Sequence, residues 1–259
     1  MAEKAFAPGR IIGALEGLGR YIVFLGQILR SVPKKPLRFA QCLAEIERVG
    51  VNSVPIIFLS SAAIGMIFVL QLITFLRTFQ AEIGAGAFVA IALAQELAPL
   101  ITTLMLIAKN GSAMAAELGT MKITEQIDAL ESMAVDPVHF LVLPKVIACL
   151  LAFPVLTLLA NVIGVTGAYV IAVLLFGIDS AGYIDYMLRI LRPIDVITGL
   201  IKATVMGGMT ATICCYHGLR TTQGAAGVGD STTRAVVVSS VSILVADYVL
   251  NTIILPFLR

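Results

Sequence analysis

Residues 117–137 read ELGTMKITEQIDALESMAVDP and lie between two long apolar runs, at about 87–108 and 141–175. The stretch holds five acidic residues in a chain that carries few charges. Carboxylates at that density cannot lie in lipid, so the stretch must face water. A water-facing segment therefore separates two membrane-embedded segments. The acids are Glu117, Glu125, Asp128, Glu131 and Asp136.

The same stretch has the pattern of a short amphipathic helix. We predict that Thr124 caps its start and that Glu125 lies in the first turn, at the positive end of the helix dipole. Pro137 should end the helix before the next apolar run begins. An amphipathic helix at the membrane surface predicts a docking partner. Its apolar face consists of Ile123, Ile127, Leu130 and Ala134, opposite Glu125, Asp128 and Glu131.

The composition of the whole chain is that of an integral membrane protein. Of its 259 residues, 59% are hydrophobic and 13% are charged, whereas soluble domains carry about 25% charged residues. The net charge of +2 is too small to predict a nucleic-acid partner. We expect no secretory signal peptide, because the first fifty residues are basic and a continuous apolar run begins only at Val54.

Five runs are long enough to cross a bilayer, which requires about 20 apolar residues per helix. We predict an all-α protein in which residues 1–50 form a cytoplasmic and interfacial region and residues 51–259 form the transmembrane domain. The third run exceeds the length of a span, so it should tilt or break near Pro154 or Gly164–Gly167. The runs cover about 53–76, 87–108, 141–175, 195–217 and 234–257.

Residues 10–31 form a segment of another kind, in which charges interrupt an apolar side at helical spacing. This pattern predicts an amphipathic helix that lies on the membrane surface, and a partly inserted sixth segment is the alternative. The apolar side consists of Ile11, Ile12, Leu15, Leu18, Ile22, Leu25 and Leu29, and the interruptions are Arg10, Glu16, Arg20 and Arg30.

The distribution of Lys and Arg between the two sides predicts the orientation. Cytoplasmic loops carry an excess of these residues. Thirteen lie on the side of the N-terminus and of the 117–137 stretch: Lys4, Arg10, Arg20, Arg30, Lys34, Lys35, Arg38, Arg48, Lys109, Lys122, Lys145, Arg220 and Arg234. The other side has Arg77, Arg189, Arg192 and Arg259. We therefore expect a cytoplasmic N-terminus and, after five spans, a C-terminus outside.

Three ionisable residues fall inside the predicted spans: Glu96, Lys202 and Asp247. A charge at the bilayer centre costs about 3 kcal/mol or more, so each residue needs a partner, a cavity or a protonation state without charge. Pro99 frees a backbone carbonyl close to Glu96 and should bend the helix there. We expect Glu96 and Lys202 either to pair across a cavity or to form a structural bond between helices. Asp247 should bond a Ser, Thr or Asn side chain on a neighbouring helix.

Small residues recur at every fourth position in two of the spans. Such ladders let helices approach closely in lipid. Packing within one chain is the expected use, and a seam between two copies is the alternative. The ladders are Ala160, Gly164, Ala168 and Ala172, and Gly199, Ala203, Gly207, Ala211 and Cys215.

The sequence carries no pattern of a catalytic or metal site. Residues 224–231 have the glycine spacing of a phosphate loop, but Asp230 occupies the position of the lysine and would repel phosphate. We interpret this segment as a cytoplasmic loop. His139 and His217 lie far apart, and the cysteines form no Cys-x-x-Cys pair. The cysteines are Cys42, Cys149, Cys214 and Cys215.

A series of motifs over residues 50–257 resembles the MlaE-like permeases, the membrane subunits of MCE-type ABC lipid transporters. The chain departs from the family where Lys109-Asn110 replaces a usual Gly-Arg, which puts a bidentate role for that arginine in doubt. The motifs are Glu96–Pro99, Gly111–Ala113, Ala116–Gly119, Thr124–Leu130, Val135–Pro137, Gly199–Lys202, Cys215–Arg220, Gly227–Gly229 and Thr232–Val236.

The resemblance implies a homodimer of permeases, one cytoplasmic ABC ATPase on each, and an outer MCE-domain substrate-binding protein. Phospholipid is the implied substrate and the inner membrane the implied location. No cofactor is expected, and no covalent chemistry is expected of the permease itself. Glu96 and Lys202 would face the central lipid cavity, and Gln71 in the first span is a further candidate. The residues implied to couple to the ATPase are Thr124, Glu125, Ile127, Asp128, Leu130 and Glu131.

Two rival functions remain open from the residues alone. The first is an ion-coupled secondary transporter that uses Glu96 or Asp247 as a proton relay, although the five spans show no inverted repeat. The second is a membrane scaffold whose acidic helix recruits a soluble partner. The scaffold hypothesis gives no role to the charged residues inside the membrane.

Overall fold

The computed structural model describes residues 8–32, 39–254 and 256, and within these ranges the chain forms helices and no strand. The predicted all-α fold is confirmed. The helices are α1 (Pro8–Ser31), α2 (Phe39–Val49), α3 (Val54–Arg77), α4 (Ala85–Ala92), α5 (Ala98–Leu106), α6 (Ser112–Ile123), α7 (Gln126–Ser132), α8 (Leu143–Leu174), α9 (Ser180–Ile190), α10 (Pro193–Leu219) and α11 (Gly224–Ile254).

Five helical segments in the described ranges are long and apolar enough to cross a membrane, as predicted. They cover Phe39–Arg77, Glu82–Ile123, Val138–Leu174, Pro193–Leu219 and Gly224–Ile254. Three of them exceed the predicted bounds by ten residues or more: the first begins at Phe39, the second continues to Ile123, and the fifth begins at Gly224. The predicted end of the fifth span at 257 lies outside the described residues.

The second span is wound more widely at two places. Residues Leu93–Leu97 and Ile107–Gly111 are π-helical, which divides the span into α4, α5 and α6. The first wide turn directly precedes Pro99, which has no N–H to offer the preceding turn. The predicted distortion near Pro99 is thus present as a π-bulge, a feature that often marks functional positions.

Of the two alternatives predicted for the third long run, a tilt or a break, the break is absent, because the run forms a continuous helix. Both Pro154 and Gly164 lie inside α8, which has 32 residues. Neighbouring helices support a proline within a membrane helix, and here α8 packs along most of α3 and α10. The irregular part lies instead before α8, where Val138–Val142 is π-helical.

Both small-residue ladders pack within the chain, which confirms the expected use. A Cβ atom at Gly65 of α3 would lie 2.0 Å from the carbonyl oxygen of Gly164. A Cβ atom at Gly207 of α10 would lie 2.9 Å from the carbonyl oxygen of Cys149. Since these contacts bury the ladders inside one copy, they leave no ladder free to serve as a seam between copies.

Helix α1 lies against the end of α10. The Tyr21 hydroxyl is 2.8 Å from Thr212 Oγ1, and Phe24 and Ile28 are buried on the same side. Leu18, Ile22 and Leu29 of the predicted lipid-facing side are exposed. The side chains of Ile11, Ile12 and Leu15 lie outside the described part, as do Lys4, Lys34, Lys35, Arg38 and Arg259. The helix therefore has one apolar side packed on the protein and a second that is exposed, and the contact of that second side with lipid stays a prediction.

The short helix α7 exists, but its ends differ from the prediction. Thr124 closes α6, because its hydroxyl bonds to the Thr120 carbonyl at 2.8 Å. The residue that precedes α7 is Glu125, which has a left-handed backbone with φ of 58° and no capping bond. Helix α7 ends at Ser132, and Ala134 has φ of 59°. Pro137 introduces the next wide turn instead of ending α7.

The glycine-rich segment 224–231 is helical and not a loop, contrary to our interpretation. Helix α11 begins at Gly224, whose φ of 64° closes the preceding turn. A Cβ atom at Gly227 would lie 1.6 Å from the Thr222 carbonyl oxygen, so glycine is required where the chain reverses. Asp230 bonds Arg234 one turn later at 2.9 Å. The segment is the first part of the fifth span.

The helices α1 and α7 lie at one end of the helix bundle, here called the α7 end. The opposite end carries α9, whose Tyr183 packs beneath Gly86 of α4. Burial raises the pKa of Tyr183 to about 12. Of the described basic residues in the predicted loop set, Arg48, Lys122 and Arg220 lie at the α7 end, while Arg77 and Arg189 lie at the other. The predicted cytoplasmic placement of the α7 end stays a prediction.

Candidate functional site

The three ionisable residues predicted inside the membrane meet at one point. Lys202 Nζ lies 2.8 Å from Glu96 Oε2 and 3.3 Å from Asp247 Oδ1. It also donates to the Gln95 carbonyl at 3.0 Å. An ammonium has three N–H donors, of which two are used in hydrogen bonds to Gln95 and Glu96, while Asp247 lies within ion-pair distance. The Lys202 side chain is 0% exposed, so it is fully engaged by the protein.

The backbone of the second span creates this arrangement. In a regular helix, the N–H of residue 99 would bond the carbonyl of Gln95, but Pro99 has no N–H. The Lys202 ammonium takes the place of the missing donor. Gly199, one turn before Lys202, permits the close approach, because a Cβ atom there would lie 2.0 Å from the Ala94 carbonyl oxygen. The proline and the glycine thus act together to bring α10 against the π-bulge.

Glu96 is the most accessible charged group of the cluster. Its side chain is 38% exposed, while that of Asp247 is 14% exposed. Glu96 Oε2 accepts from both Lys202 and Asn251 Nδ2, the latter at 3.0 Å. Among the described residues, no donor reaches Glu96 Oε1. This second oxygen is therefore free to accept a further hydrogen bond.

Asp247 belongs to this cluster, contrary to the expected bond with a Ser, Thr or Asn side chain. It shares Lys202 with Glu96, so two carboxylates meet one ammonium. The amide on α11 that does bond across helices is Asn251, and its partner is Glu96. One turn of helix separates Asp247 from Asn251, which lets α11 contact the cluster through both residues.

Gln95 and Asp195 extend the cluster toward the start of α10. Gln95 Nε2 donates to Asp195 Oδ1 at 2.6 Å, and Asp195 Oδ2 accepts from the Arg192 backbone N–H at 2.9 Å. The sequence analysis missed Gln95, Asp195 and Asn251. A signal existed only for Asp195, since Pro193 followed by an acid two residues later is typical of a helix start.

Gln71 is not brought to the cluster. It lies on the exposed side of α3 and forms no hydrogen bond with Glu96, Lys202 or Asp247 among the described contacts. The buried side of α3 carries Val69 and Ile73. Its assignment to a cavity therefore has no support from contacts within one chain.

Helix α7 divides into a side that packs on the protein and a side that faces out. Ile127 is 3% exposed and Leu130 is partly buried, so the predicted apolar face rests on the chain itself. Asp128 is exposed and bonds Lys122 at 2.6 Å. Thr124, Glu125 and Glu131 are exposed, and so are Gln126, Ala129, Ser132 and Met133, of which Met133 is 65% exposed.

A groove runs beside α7, between it and α1. It has a volume of about 670 Å³. A smaller hollow of about 390 Å³ adjoins it and shares Gln27, Glu131 and Val138 with it. The wall of the groove includes Arg20, Phe24, Tyr216 and Arg220. The surface at the α7 end is thus concave, and both polar and apolar side chains line it.

Lys109 and Asn110 attach the second wide turn to the junction between α2 and α3. Lys109 Nζ donates to the Asn52 carbonyl and to Ser53 Oγ, the latter at 3.1 Å. Asn110 Nδ2 donates to Ser53 Oγ at 2.9 Å and to the Val49 carbonyl at 3.2 Å. The pair that departs from the family motif therefore has a structural role here.

Comparison with known proteins agrees with this architecture. The family model described as Permease MlaE matches residues 42–253. A probable ABC transporter permease protein of Rickettsia bellii is 37% identical over 242 residues, which cover 93% of each chain. The intermembrane phospholipid transport system permease protein MlaE of Haemophilus influenzae is 34% identical over 245 residues, 94% of each chain.

A plant relative is similar to the same extent. The chloroplastic protein TRIGALACTOSYLDIACYLGLYCEROL 1 of Arabidopsis thaliana is 37% identical over 229 residues, which cover 88% of this chain and 65% of that protein. The motifs quoted from the sequence all lie within the matched region, and so do Glu96, Lys202 and Asp247. The chain belongs to the MlaE permease family.

Proposed function

We propose that this protein is the non-catalytic permease subunit of an ABC-type transporter that moves phospholipid at the inner membrane. The names of the relatives support this function, because they describe ABC transporter permeases and, in one case, phospholipid transport. The observation that carries the proposal is the cluster of Glu96, Lys202 and Asp247 within the spans, with the Glu96 carboxylate open to the outside of the chain.

Glu96 and Lys202 have different tasks in this proposal. Lys202 is fully buried and donates to both Glu96 and the Gln95 carbonyl, so it holds Glu96 and the π-bulge in place. The partly exposed Glu96 is the group that meets the lipid in the cavity. The Glu96 carboxylate attracts the ammonium of a zwitterionic headgroup such as that of phosphatidylethanolamine, and the apolar surroundings suit the acyl chains.

A second copy of the chain would complete the cavity. Helix α11 is the least buried of the five spans, since 11% of its apolar central stretch is buried inside the chain. Its exposed side carries Val237, Val241, Leu244 and Tyr248, next to the cluster residue Asp247. We place the seam of a homodimer on this side, so that the two clusters lie around one cavity.

The energy for transport would come from a separate ABC ATPase at the α7 end. In this proposal α7 is the coupling helix, held on the permease by Ile127 and presented to the ATPase by its exposed residues. The groove beside α7 supports the assignment, because a rigid helix next to a concave surface gives the partner two walls to contact. The MCE-domain protein would contact the opposite end, where α9 lies.

The ion-coupled secondary transporter is the weaker proposal. A proton relay needs acids that pass a proton from one to the next, whereas Glu96 and Asp247 both bond the same buried ammonium. This arrangement is that of a fixed ionic contact between the π-bulge of the second span, α10 and α11, and not that of a proton path.

Purification in mild detergent tests the proposal. The permease, isolated from its native membrane, should bring an ABC ATPase and phospholipid in stoichiometric amounts. Reconstituted with the ATPase in liposomes, it should move a fluorescent phosphatidylethanolamine only when ATP is present. A permease that arrives without ATPase, or lipid movement driven by a pH gradient without ATP, would contradict the proposed function.

A further inference from the structure

A second group of charges lies at the α7 end, apart from the lipid cavity. It consists of Glu45, Arg48, Glu117 and Lys145, here called the four-charge cluster. Lys145 Nζ lies 2.7 Å from Glu45 Oε1 and 3.1 Å from Glu117 Oε2. Arg48 Nη1 lies 2.6 Å from the same oxygen of Glu117. The Lys145 side chain is 3% exposed, so this ion pair is buried within the protein.

The cluster joins the two helices that carry α7. Glu117 belongs to α6, which leads into α7, and Lys145 belongs to α8, which follows it. Their bond therefore closes the base of the hairpin whose tip is α7. At the tip, the left-handed residues Glu125 and Ala134 make a tight turn on each side of α7. A force applied to α7 thus reaches α6 and α8 as one unit.

The cluster also attaches α2 to this unit. Glu45 and Arg48 lie one turn apart on α2, and each bonds a different helix of the hairpin. Further along the same helices, Asn110 bonds the Val49 carbonyl at the end of α2. Helix α2 is therefore held by the second span at two levels, and it continues almost directly into α3.

Stability alone does not explain the use of charges at this place. A buried ion pair is often no better than apolar side chains of the same volume, but it fixes one register between the helices. The cluster is also not fully satisfied, since Glu45 Oε2, like Oε1 of the neighbouring Gln41, is buried with no hydrogen-bond partner in the described part of the chain. A hollow of about 270 Å³ beside them, lined by Arg48 and Lys145 among others, leaves room for the side chains to rearrange.

We propose that Glu45, Arg48, Glu117 and Lys145 are positioning residues that make α2 move with the coupling helix α7. Movement of α7, driven by the ATPase, passes through α6 and α8 to α2 and then to α3. Helix α3 packs on α8 through Gly65 and Gly164. A shift of α2 therefore changes how α3 packs on α8. This inference rests on the proposed function, because it takes α7 as the contact with the ATPase.

The test is a double variant, Glu45→Gln with Arg48→Gln, in the complex with the ATPase reconstituted in liposomes. The ATPase should still assemble and hydrolyse ATP at the wild-type rate, because α7 is untouched. Movement of fluorescent phosphatidylethanolamine per ATP should fall about tenfold, within the usual range of a coupling free energy. Glu47→Gln, at an exposed position on α2, is the matched control. Glu45→Gln combined with Arg48→Lys, which keeps the positive charge, should couple better than the double variant with Arg48→Gln.

Hydrogen exchange of the permease alone gives a readout that needs no partner. In the double variant, the amides of α2 should exchange faster, while those of α10 should not. Unchanged exchange in α2, unchanged transport per ATP, or an equal loss of ATPase binding and transport would each overturn the proposal. A wild-type complex that moves no lipid would instead defeat the proposed function, and the exchange result would still decide whether the cluster holds α2.

Discussion

The Lys202 ammonium donates to the carbonyl of Gln95 at 3.0 Å, and that carbonyl lacks a helical donor because Pro99 follows it by four residues. A side chain on α10 thereby completes the backbone of the second span. The same ammonium bonds Glu96 and Asp247. A backbone irregularity and a charged cluster in the membrane are therefore one feature, and each depends on the other.

Substitution of Pro99 should separate folding from function. Pro99→Ala supplies an N–H that competes with Lys202 for the Gln95 carbonyl, which should favour a regular helix and turn Glu96 away from its position. We expect ATP-driven lipid movement to fall at least about tenfold, with a smaller loss of thermal stability than in Lys202→Met, because the ammonium keeps Asp247 as a partner. Pro154→Ala in α8 is the matched control, and an equal loss of transport in both variants would contradict this role of Pro99.

Removal of the Lys202 charge should destabilise the permease. Lys202→Met leaves two carboxylates near each other without a cation, and breaking a buried pair costs about 3–5 kcal/mol. The expected result is a lower unfolding temperature and a lower yield of folded protein. Addition of Glu96→Gln and Asp247→Asn should restore stability but not lipid movement. A stable Lys202→Met single variant would show that the ammonium is not required to balance the acids.

The open oxygen of Glu96 should matter more for transport than for stability. Glu96→Gln keeps the size of the side chain and an acceptor for Asn251, so the fold should persist. Lipid movement per ATP should fall about tenfold, because the interaction with the lipid loses its charge. Lipid movement in liposomes and thermal unfolding measure the two effects. Glu82→Gln, at the end of the bundle opposite α7, is the control. Wild-type transport in Glu96→Gln would show that Glu96 has only a structural role.

The two sides of α7 should respond differently to the same substitution. Met133→Asp lies on the exposed surface, so it should abolish association with the ATPase and leave the permease folded. Ile127→Asp buries a carboxylate and should destabilise the permease itself, by several kcal/mol. Co-purification of the ATPase and size-exclusion chromatography distinguish these outcomes. If the Met133→Asp variant still co-purifies with the ATPase, α7 is not the main contact.

Close helix contact should depend on particular glycines. Gly65→Val places side-chain atoms where the Gly164 carbonyl lies, and the Cβ atom alone would be 2.0 Å from that oxygen. We expect a large loss of thermal stability, because α3 and α8 must separate. Gly229→Ala, where a Cβ atom meets no atom within 4 Å, should be neutral or stabilising by about 1 kcal/mol. Equal effects of the two substitutions would contradict the role of the ladder.

Local features of the sequence were sufficient for the main architecture. Apolar length predicted the five spans, and the acids of 117–137 predicted a helix between the second and third. Their limits were less predictable. Thr124 satisfies its hydroxyl on the preceding turn, and residues 224–231 continue as helix, because packing against neighbours outweighs the local preference of threonine and glycine.

The sequence by itself determined that Glu96, Lys202 and Asp247 must each find a partner, since charges in a membrane interior cannot stay unpaired. It also predicted that Glu96 and Lys202 pair, and they do. Only the tertiary structure decided that Asp247, Asn251 and the Gln95 carbonyl join them. The same holds for Glu45 and Lys145, 100 positions apart. Hydrophobicity and helix propensity act over neighbouring residues, whereas pairing across helices depends on which surfaces the glycines at 65, 164 and 199 allow to touch.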